Sequence, residues 1–324
     1  MNLLQVRKAN NNPLHKPVLL EEVIEYLDPK PNQNYIDGTV GAGGHAERIL
    51  EKTGPHGKLI GFDLNAEAIK QAGKRLKKYK NRVSLYHANY SKIESITYDQ
   101  QSGLHKISGI LLDLGISSFQ LESQSGGFSF QINGPLDMRF GGPDQQLTAA
   151  EIVNKWTEKE LINILQSYGE ERHSWAIAQE IVKTRKTKII STTSELVEII
   201  ERVYNNKPKP KKIHPATKTF QALRIAVNEE LDSLRLVLPQ ALNILSPGGR
   251  LAIISFHSLE DRIVKQFFRQ EARGCLCPPE FPVCRCGHKA QLTLITRKVI
   301  TPSLEEIKQN YRARSAKLRV AEKI

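Results

Sequence analysis

A glycine-rich turn near the start of the chain reads Asp37-Gly38-Thr39-Val40-Gly41-Ala42-Gly43-Gly44-His45. It begins inside a β-rich run at residues 35–40 and ends where a helical pattern starts, at residues 45–52. Glycines at such a strand-to-helix turn let the backbone approach a ligand closely. The turn therefore predicts a ligand-binding site at the first β-to-α connection of an α/β sheet.

Further β-rich runs and helical patterns alternate along the chain. The runs cover residues 58–63, 83–88, 110–114 and 250–256. The helical patterns include residues 66–79 and one long helix, with apolar residues spaced by three or four from Leu223 to Leu245, which ends at Pro247-Gly248-Gly249. Because strands separated by helices pair in parallel, we predict a doubly wound, mostly parallel α/β sheet.

The interval between the fourth and fifth β-rich runs is much longer than one crossover helix requires. It contains helical spacing at residues 148–154, 157–168, 174–183 and 193–203, with candidate N-caps at Thr148, Thr157 and Thr193. We therefore predict an inserted small helical domain at residues 138–215. The main domain is then formed by residues 1–137 and 216–324.

Composition limits the class of protein. The chain has 324 residues, 40% hydrophobic and 25% charged, which is typical of globular proteins of about two domains. The 47 basic and 34 acidic residues give a net charge of +13, which favours a polyanionic partner such as a nucleic acid, although a merely basic surface is the alternative. No apolar stretch has the length of a signal peptide or a membrane span, so we expect a cytoplasmic protein.

Acidic residues at two strand ends indicate the kind of ligand. Asp63 follows Gly43 by 20 residues, where a carboxylate can accept hydrogen bonds from both ribose hydroxyls of an adenosine. A dinucleotide fits the same glycines, and a tight turn without a ligand is a further alternative. Asp37 in the turn favours a ligand with an ammonium group over a pyrophosphate, which points to S-adenosylmethionine. Asp113 ends the fourth β-rich run, and the carboxyl ends of the strands are where doubly wound sheets have their active sites. The alternative is that Asp113 caps a turn.

The residues that carry a family resemblance extend over nearly the whole chain. They are His15-Lys16-Pro17-Val18-Leu19-Leu20, Tyr35-Ile36-Asp37-Gly38-Thr39, Gly43-Gly44-His45, Leu112-Asp113-Leu114-Gly115-Ile116-Ser117-Ser118, Gly126-Gly127-Phe128-Ser129-Phe130, Gly134-Pro135-Leu136-Asp137-Met138-Arg139, Phe220-Gln221-Ala222-Leu223-Arg224, Ser255-Phe256-His257-Ser258-Leu259-Glu260-Asp261-Arg262 and Arg314-Ser315-Ala316-Lys317-Leu318-Arg319. With these motifs the chain resembles the ribosomal small-subunit methyltransferase H family, also called MraW.

The resemblance implies a Rossmann-like class I methyltransferase that uses S-adenosylmethionine. Its expected reaction is methylation of the exocyclic N4 amine of a cytidine in the decoding region of 16S ribosomal RNA, as free RNA or within the small subunit. The oligomeric state stays open. The turn departs from the broader methyltransferase class at Thr39, where glycine is usual, but the narrower family shares this threonine. The implied cofactor contacts are Gly43, Gly44, His45, Asp63, Tyr90, Asp113 and Gln120.

The target amine is a poor nucleophile, because its lone pair is delocalised into the ring. We expect Asp113 to act as the catalytic acceptor of its hydrogen bonds. Phe119, Phe128 or Phe130 could stack on an extruded base, or could belong to the core. His257 could reach the active crevice, but we favour a structural histidine, and Ser258 with Asp261 is a candidate N-cap pair.

Two further features have open interpretations. Lys207 to Lys212 with Lys218, and Arg312, Arg314, Lys317 and Arg319, are candidate phosphate contacts or a solvated charged face. Cys275-x-Cys277 and Cys284-x-Cys286 offer four thiolates, enough for zinc, but each pair has a tighter spacing than is common. We favour a metal-free loop with reduced thiols and assign no metal site.

Two other functions fit the same sequence. One is a nicotinamide-dependent oxidoreductase on the same fold, and the other is a non-catalytic RNA-binding protein of ribosome assembly. Binding of S-adenosylmethionine would exclude the first, and methyl transfer into RNA the second.

Overall fold

The computed structural model describes residues 17–98, 106–116, 126–205, 208, 210, 213–278, 280–281 and 283–324. Within these residues, seven strands form one sheet in the order β3-β2-β1-β4-β5-β7-β6. The strands are β1 (Asn34–Asp37), β2 (Leu59–Asp63), β3 (Val83–His87), β4 (Ile107–Asp113), β5 (Leu245–Ser255), β6 (Leu292–Leu294) and β7 (Lys317–Lys323).

The first five strands pair in parallel, and β7 pairs antiparallel with both β5 and β6. The order reverses at β1, whose neighbours are β2 and β4. The predicted doubly wound, mostly parallel sheet is confirmed. Ligands of such sheets bind outside the carboxyl ends of the strands at this reversal.

Helices cover both faces of the sheet. They are α1 (Leu20–Leu27), α2 (Gly44–Lys52), α3 (Ala66–Arg75), α4 (Ile93–Tyr98), α9 (Ala216–Asn228), α10 (Glu230–Ile244), α11 (Ser258–Glu271) and α12 (Leu304–Gln309). Alternate residues of each strand enter different cores: Leu112 packs with α4, α10 and α11, and Leu111 packs with α1 to α3. This explains why the central strands are apolar throughout instead of alternating with polar residues.

The segment between β4 and β5 contributes α5 (Ala149–Lys155), α6 (Glu158–Ser167), α7 (Ser174–Arg185) and α8 (Thr193–Asn205). These helices and α9 share a separate apolar cluster, which also takes in Phe128 and Leu136. Thr148 and Thr157 cap α5 and α6 as predicted, and Thr157 forms a full capping box with Glu160.

The N-cap predicted at Thr193 is wrong. Thr193 is the first residue of α8, and its hydroxyl donates to the carbonyl of Ile132. Thr192 accepts a hydrogen bond from the backbone N–H of Glu195, while the Glu195 carboxylate accepts one from the backbone N–H of Thr192. The reciprocal pair is a capping box one residue earlier.

The single long helix predicted up to Leu245 is also wrong, because the chain forms two helices. The break falls at Glu229, which has the left-handed φ of 50°. Asn228, the last residue of α9, bonds at this break to a segment outside the helix: its amide nitrogen donates to the carbonyl of Met138, and its amide oxygen accepts from the N–H of Phe140. The Pro247-Gly248-Gly249 segment lies inside β5, at a shift of register with β4, and does not end the helix.

None of the helices in the described parts of the chain combines the length and the apolar character needed to cross a membrane.

Gly109 is a close approach between β4 and its neighbours. A Cβ atom at this position would lie 2.4 Å from Cε1 and 2.7 Å from Cδ1 of the buried Tyr35 ring. We therefore expect Gly109→Ala to lower the free energy of unfolding by about 1–3 kcal/mol through overpacking. Urea unfolding measures this change. Gly274→Ala is the matched control, because a Cβ there meets nothing within 4 Å; equal stability of the two variants would contradict the packing argument.

Candidate functional site

The turn after β1 is joined to the end of β4 by short hydrogen bonds. The Thr39 hydroxyl accepts from the backbone N–H of Asp113 at 2.6 Å, and the backbone N–H of Gly38 donates to the carbonyl of Leu111 at 2.9 Å. A Cβ at Gly38 would lie 2.4 Å from Leu112 Cδ2. The absence of a side chain at Gly38 therefore allows the two strand ends to approach.

Asp37 is buried behind this turn and hydrogen-bonds to its backbone. Its side chain accepts the backbone N–H of Thr39 at 3.1 Å, and the residue is only 1% exposed. It is not among the residues that line the crevice. Asp37, which in the sequence favoured a ligand with an ammonium group, is therefore buried behind the turn and does not itself line the cavity. Burial, with a smaller contribution from the charge of Asp63, raises the pKa of Asp37 to about 7, against the hydrogen bonds from Thr39, which lower it.

A cavity of about 250 Å³ opens at the carboxyl ends of the parallel strands. The turn, the ends of β2 and β4, and the residues after β3 and β5 contribute to its wall, and α10 closes one side. Of the cofactor contacts predicted from sequence, five line it: Gly44, His45, Asp63, Tyr90 and Asp113.

The two remaining cofactor contacts differ. Gly43 does not line the cavity; it has a left-handed φ of 82° and precedes α2. A Cβ there would touch the backbone of Ala72 and the side chain of Leu76 at 3.4 Å, so Gly43 serves the packing of the turn against α3. Gln120 lies outside the described residues, as does Phe119.

Asp63 is positioned by backbone donors at both carboxylate oxygens. Oδ2 accepts the N–H of Gly41 at 2.9 Å, and Oδ1 accepts the N–H of Asn65 at 2.8 Å. Each oxygen retains a second lone pair. Burial raises the pKa of Asp63 and these backbone bonds lower it, with a net rise. The carboxyl group is therefore rigidly oriented toward the cavity, with capacity for two further hydrogen bonds.

Asp113 has a buried carboxylate oxygen without a hydrogen-bond partner among the described residues. This oxygen is Oδ1, and Oδ2 lies 3.8 Å from His45 Nδ1. Burial raises the pKa of Asp113 well above its usual range, and the charges of Asp37 and Glu260 raise it further. A buried polar atom of this kind usually meets a ligand or water.

His45 is buried against the N-terminal part of the described chain. Its Nε2 lies 3.0 Å from the carbonyl of Val18. Because a carbonyl can only accept, Nε2 carries the proton and Nδ1 faces Asp113.

Two more carboxyl groups line the cavity, and sequence reasoning did not identify either. Arg224 donates two hydrogen bonds to Glu230, at 2.8 and 3.0 Å. Glu260 accepts the backbone N–H groups of Phe256 and His257. Burial would raise the pKa of Glu260, but His257 and Arg224 outweigh it, so the pKa is lowered. Glu260 lies in the family motif at residues 255–262, and this was the one indication of it in the sequence. A motif does not tell which of its side chains face a ligand.

His257 has the structural role that we favoured. It caps α11 in a reciprocal pair with Glu260, and its side chain is about 10% exposed. The predicted Ser258 and Asp261 cap is wrong. Ser258 donates to Glu170, and Asp261 receives a two-pronged hydrogen bond from Arg319 at 2.7 and 3.2 Å.

The aromatic candidates belong mainly to the helical cluster. Phe128 is 8% exposed, and Phe130 stacks on His214 with ring centroids 4.8 Å apart. Both positions favour the core interpretation over stacking on a base. Two other rings, those of Phe140 and Phe256, line the cavity and were missed by sequence reasoning.

The basic side chains that the sequence offered as phosphate contacts have different surroundings in the structure. Arg319 is wrong as a contact, because its guanidinium is only 14% exposed in the ion pair with Asp261, and Lys317 lies 3.5 Å from the same carboxylate. Arg312 lines the cavity, and Arg314 packs on the Tyr311 ring. Lys218 donates to the carbonyl of Glu170. The four lysines of the 207–212 run lie outside the described residues.

The sequence and the fold are both similar to those of known proteins. The family model described as the MraW methylase family matches residues 12–324. The chain belongs to this family. The ribosomal RNA small subunit methyltransferase H of Heliobacterium mobile is 52% identical over 96% of this chain and 99% of its own length. The enzyme of that name from Thermomicrobium roseum is 47% identical over 99% of this chain and 98% of its own.

Among solved structures, the putative rRNA-methylase of Clostridium thermocellum is similar to this chain with a TM-score of 0.45 and 12% identity, over 96% of this chain and all of that one.

The residues of the cavity fit S-adenosylmethionine, the cofactor that the sequence resemblance implied. Asp63 keeps free acceptor lone pairs at the end of β2, and Asp113, Glu230 and Glu260 bring three further carboxyl groups to the cavity, which Arg75 and Arg312 also line. A ligand with a sulfonium and an ammonium group is attracted by carboxylates, whereas a pyrophosphate is repelled by them. The unused Asp113 Oδ1 is a further site for a ligand donor.

The raised pKa of Asp37 predicts a pH-dependent stability difference. The pKa of Asp37 is about 7 in the folded state and 3.8 ordinarily, so folding favours the protonated carboxyl. Its contribution to the free energy of unfolding is fully present below about pH 4 and is lost as the pH rises through 7. Asp37→Asn keeps an oxygen for Thr39 but cannot ionise. We expect the stability of the variant relative to the native chain to increase from pH 4 to pH 8, measured by urea unfolding. Asp232→Asn, at an exposed position on α10, is the control; a constant difference for Asp37→Asn would refute the assignment.

Removing the charge of Asp63 should weaken cofactor binding. Asp63→Asn retains one acceptor oxygen but replaces the other with a donor, so one ribose hydroxyl loses its charged partner. Such a bond contributes about 1.5–3 kcal/mol, which corresponds to a Kd for S-adenosylmethionine roughly 10–100-fold higher. Isothermal titration calorimetry measures this Kd. Glu67→Gln, on the exposed side of α3, should bind as the native chain does; an unchanged Kd in Asp63→Asn would place the adenosine elsewhere.

Proposed function

We propose that this chain transfers a methyl group from S-adenosylmethionine to the exocyclic N4 amine of a cytidine in the decoding region of 16S ribosomal RNA. The observation that carries the proposal is the buried, unused Oδ1 of Asp113 in an acidic crevice that also contains Asp63. Membership of the MraW family and relatives named for the small subunit support the RNA substrate.

The carboxyl groups of the cavity favour this function over a nicotinamide-dependent oxidoreductase. A dinucleotide would bring two phosphate charges close to the carboxylate of Glu260, whose pKa is lowered. S-adenosylmethionine supplies an electrophilic methyl group on a positively charged sulfur. The same carboxylate stabilises that charge, and Asp63 holds the adenosine end of the cofactor.

Asp113 is the proposed catalytic residue. Its Oδ1 accepts a hydrogen bond from the target amine, which favours a pyramidal nitrogen whose lone pair points at the methyl group. The new N–C bond would form as the bond from that methyl carbon to sulfur breaks, so that the sulfur leaves as a neutral thioether. The nitrogen would then lose a proton, and Asp113 would take it. The raised pKa of this carboxyl suits that step, since the ionised group is a stronger base than an ordinary aspartate. A bound cation favours the ionised form at the start of the reaction.

The base is proposed to enter from the side of the helical unit. Two residues next to the helical unit line the cavity: Phe140, which precedes α5, and Asn228, the last residue of α9. An extruded cytosine needs a flat apolar surface, which the Phe140 ring can provide. We therefore assign substrate recognition to the inserted segment at residues 138–215, while the sheet holds the cofactor.

The substrate is an assembled or partly assembled small subunit in the cytoplasm, or its free 16S RNA. The net charge of +13 supports binding to either polyanion.

The test is methylation of small subunits from a strain that lacks this modification. With labelled S-adenosylmethionine, we expect label in N4-methylated cytidine after digestion of the RNA to nucleosides. Asp113→Ala should lower kcat by roughly 100-fold or more while the Kd for the cofactor changes much less, since a transition-state interaction is lost.

Glu94→Gln, at a half-buried position of α4 that does not line the cavity, serves as the matched control and should react at the native rate. Label in another nucleoside would contradict the N4 assignment. A native rate for Asp113→Ala would refute its catalytic role but not the methyl transfer.

A further inference from the structure

Four cysteine sulfurs converge in the loop between α11 and β6. The cysteine cluster consists of Cys275, Cys277, Cys284 and Cys286, whose Sγ atoms all lie within 4.8 Å of one another. The Cys275 sulfur is 3.4 Å from that of Cys284 and 3.8 Å from that of Cys286, and the Cys284 and Cys286 sulfurs are 3.6 Å apart. The two Cys-x-Cys pairs are therefore brought together although six residues separate them.

These separations match a tetrahedral metal site. Four thiolates at about 2.3 Å from one zinc ion lie about 3.8 Å from one another. A disulfide would need about 2.05 Å, and unconstrained thiolates would repel each other. We propose that the cysteine cluster binds one structural zinc ion.

Backbone donors around the sulfurs complete the site. The N–H of Leu276 points to Cys286 Sγ at 3.3 Å, and the N–H of Arg285 points to Cys277 Sγ at 3.2 Å. The N–H of Cys277 points to Cys275 Sγ at 3.4 Å. Such N–H groups stabilise the negative charge of metal-bound thiolates and orient the ligands.

Among the described residues of this loop, the large apolar side chains do not form a core that could hold this arrangement. Leu276, Phe281 and Val283 are 38%, 50% and 69% exposed. A metal ion replaces such a core in small loops, because its binding free energy is available only when the ligands are assembled. Four protein ligands leave no open position, so the ion is structural and not catalytic.

The zinc site is separate from the crevice. No cysteine is among the cavity-lining residues in the described chain. The proposal reverses the preference for a metal-free loop, which rested on the one-residue spacing of each pair. Spacing alone could not reveal that the sulfurs of the two pairs lie within 4.8 Å of one another.

The experiment is metal analysis of the full-length protein, purified without an affinity tag and without added metal. We expect about one zinc ion per chain, released when a mercurial reagent blocks the thiols. Replacement by cobalt should give the visible absorption of a tetrahedral tetrathiolate complex. Proteolysis within residues 275–286 should become faster after chelation.

Two variants separate the ligands from their surroundings. Cys284→Ser should lose the bound zinc and retain the native Kd for S-adenosylmethionine, because the cluster lies outside the crevice. His288→Ala is the matched control, since His288 lies two residues after Cys286 but is not part of the cluster; it should keep its zinc.

Three results would overturn the proposal: metal far below one ion per chain with four thiols that react freely, a disulfide found by mass spectrometry, or unchanged zinc content in Cys284→Ser. None of these readouts depends on methyl transfer, so the zinc proposal and the proposed reaction can fail independently.

Discussion

The crevice depends on the hydrogen bond between the Thr39 hydroxyl and the backbone N–H of Asp113. This 2.6 Å contact joins the first turn of the sheet to the end of its fourth strand, and it fixes the position of Asp113 relative to Asp63. A glycine at residue 39, as in the broader methyltransferase class, could not form it. The threonine instead sets the geometry of the turn through its side chain, with the buried Asp37 holding its backbone from the other side.

The charge distribution separates two tasks. The chain as a whole carries a net charge of +13, yet Asp113, Glu230 and Glu260 face the cavity. A positive exterior attracts RNA over distances of about a Debye length, whereas the acidic interior acts only at contact range. One chain can therefore favour a polyanionic substrate outside and a cationic cofactor inside. Arg224 limits the repulsion among these carboxyls by pairing with Glu230.

The parallel sheet and its first turn could be predicted because they follow from local patterns. Strand apolarity, helical spacing and glycine position are all readable within about ten residues. Asp63 and Asp113 were found for the same reason, since each ends a strand. The antiparallel β6 and β7 were missed, because β6 has three residues and β7 mixes apolar with charged ones.

The features that could not be predicted depend on contacts between distant residues. Periodicity runs through residues 216–244 without interruption, and Glu229 gives no local sign of a break. The break exists because Asn228 bonds to the backbone of Met138 and Phe140, about 90 residues away in the chain. Likewise, Arg319 resembles a surface cation in the sequence, and only its ion pair with Asp261 shows that it belongs to the interior.

The break at Glu229 also explains how the helical unit and the sheet come to share one cavity. Helix α9 packs in the helical cluster, and α10 packs on the sheet. An uninterrupted helix would keep the two units on one straight axis. The left-handed residue redirects the chain at the rim of the crevice, so that Asn228 and Glu230 both line it. The bonds from Asn228 to the Phe140 segment then hold that ring at the same rim. A conformationally costly residue is thus maintained where the cofactor side and the proposed base side meet.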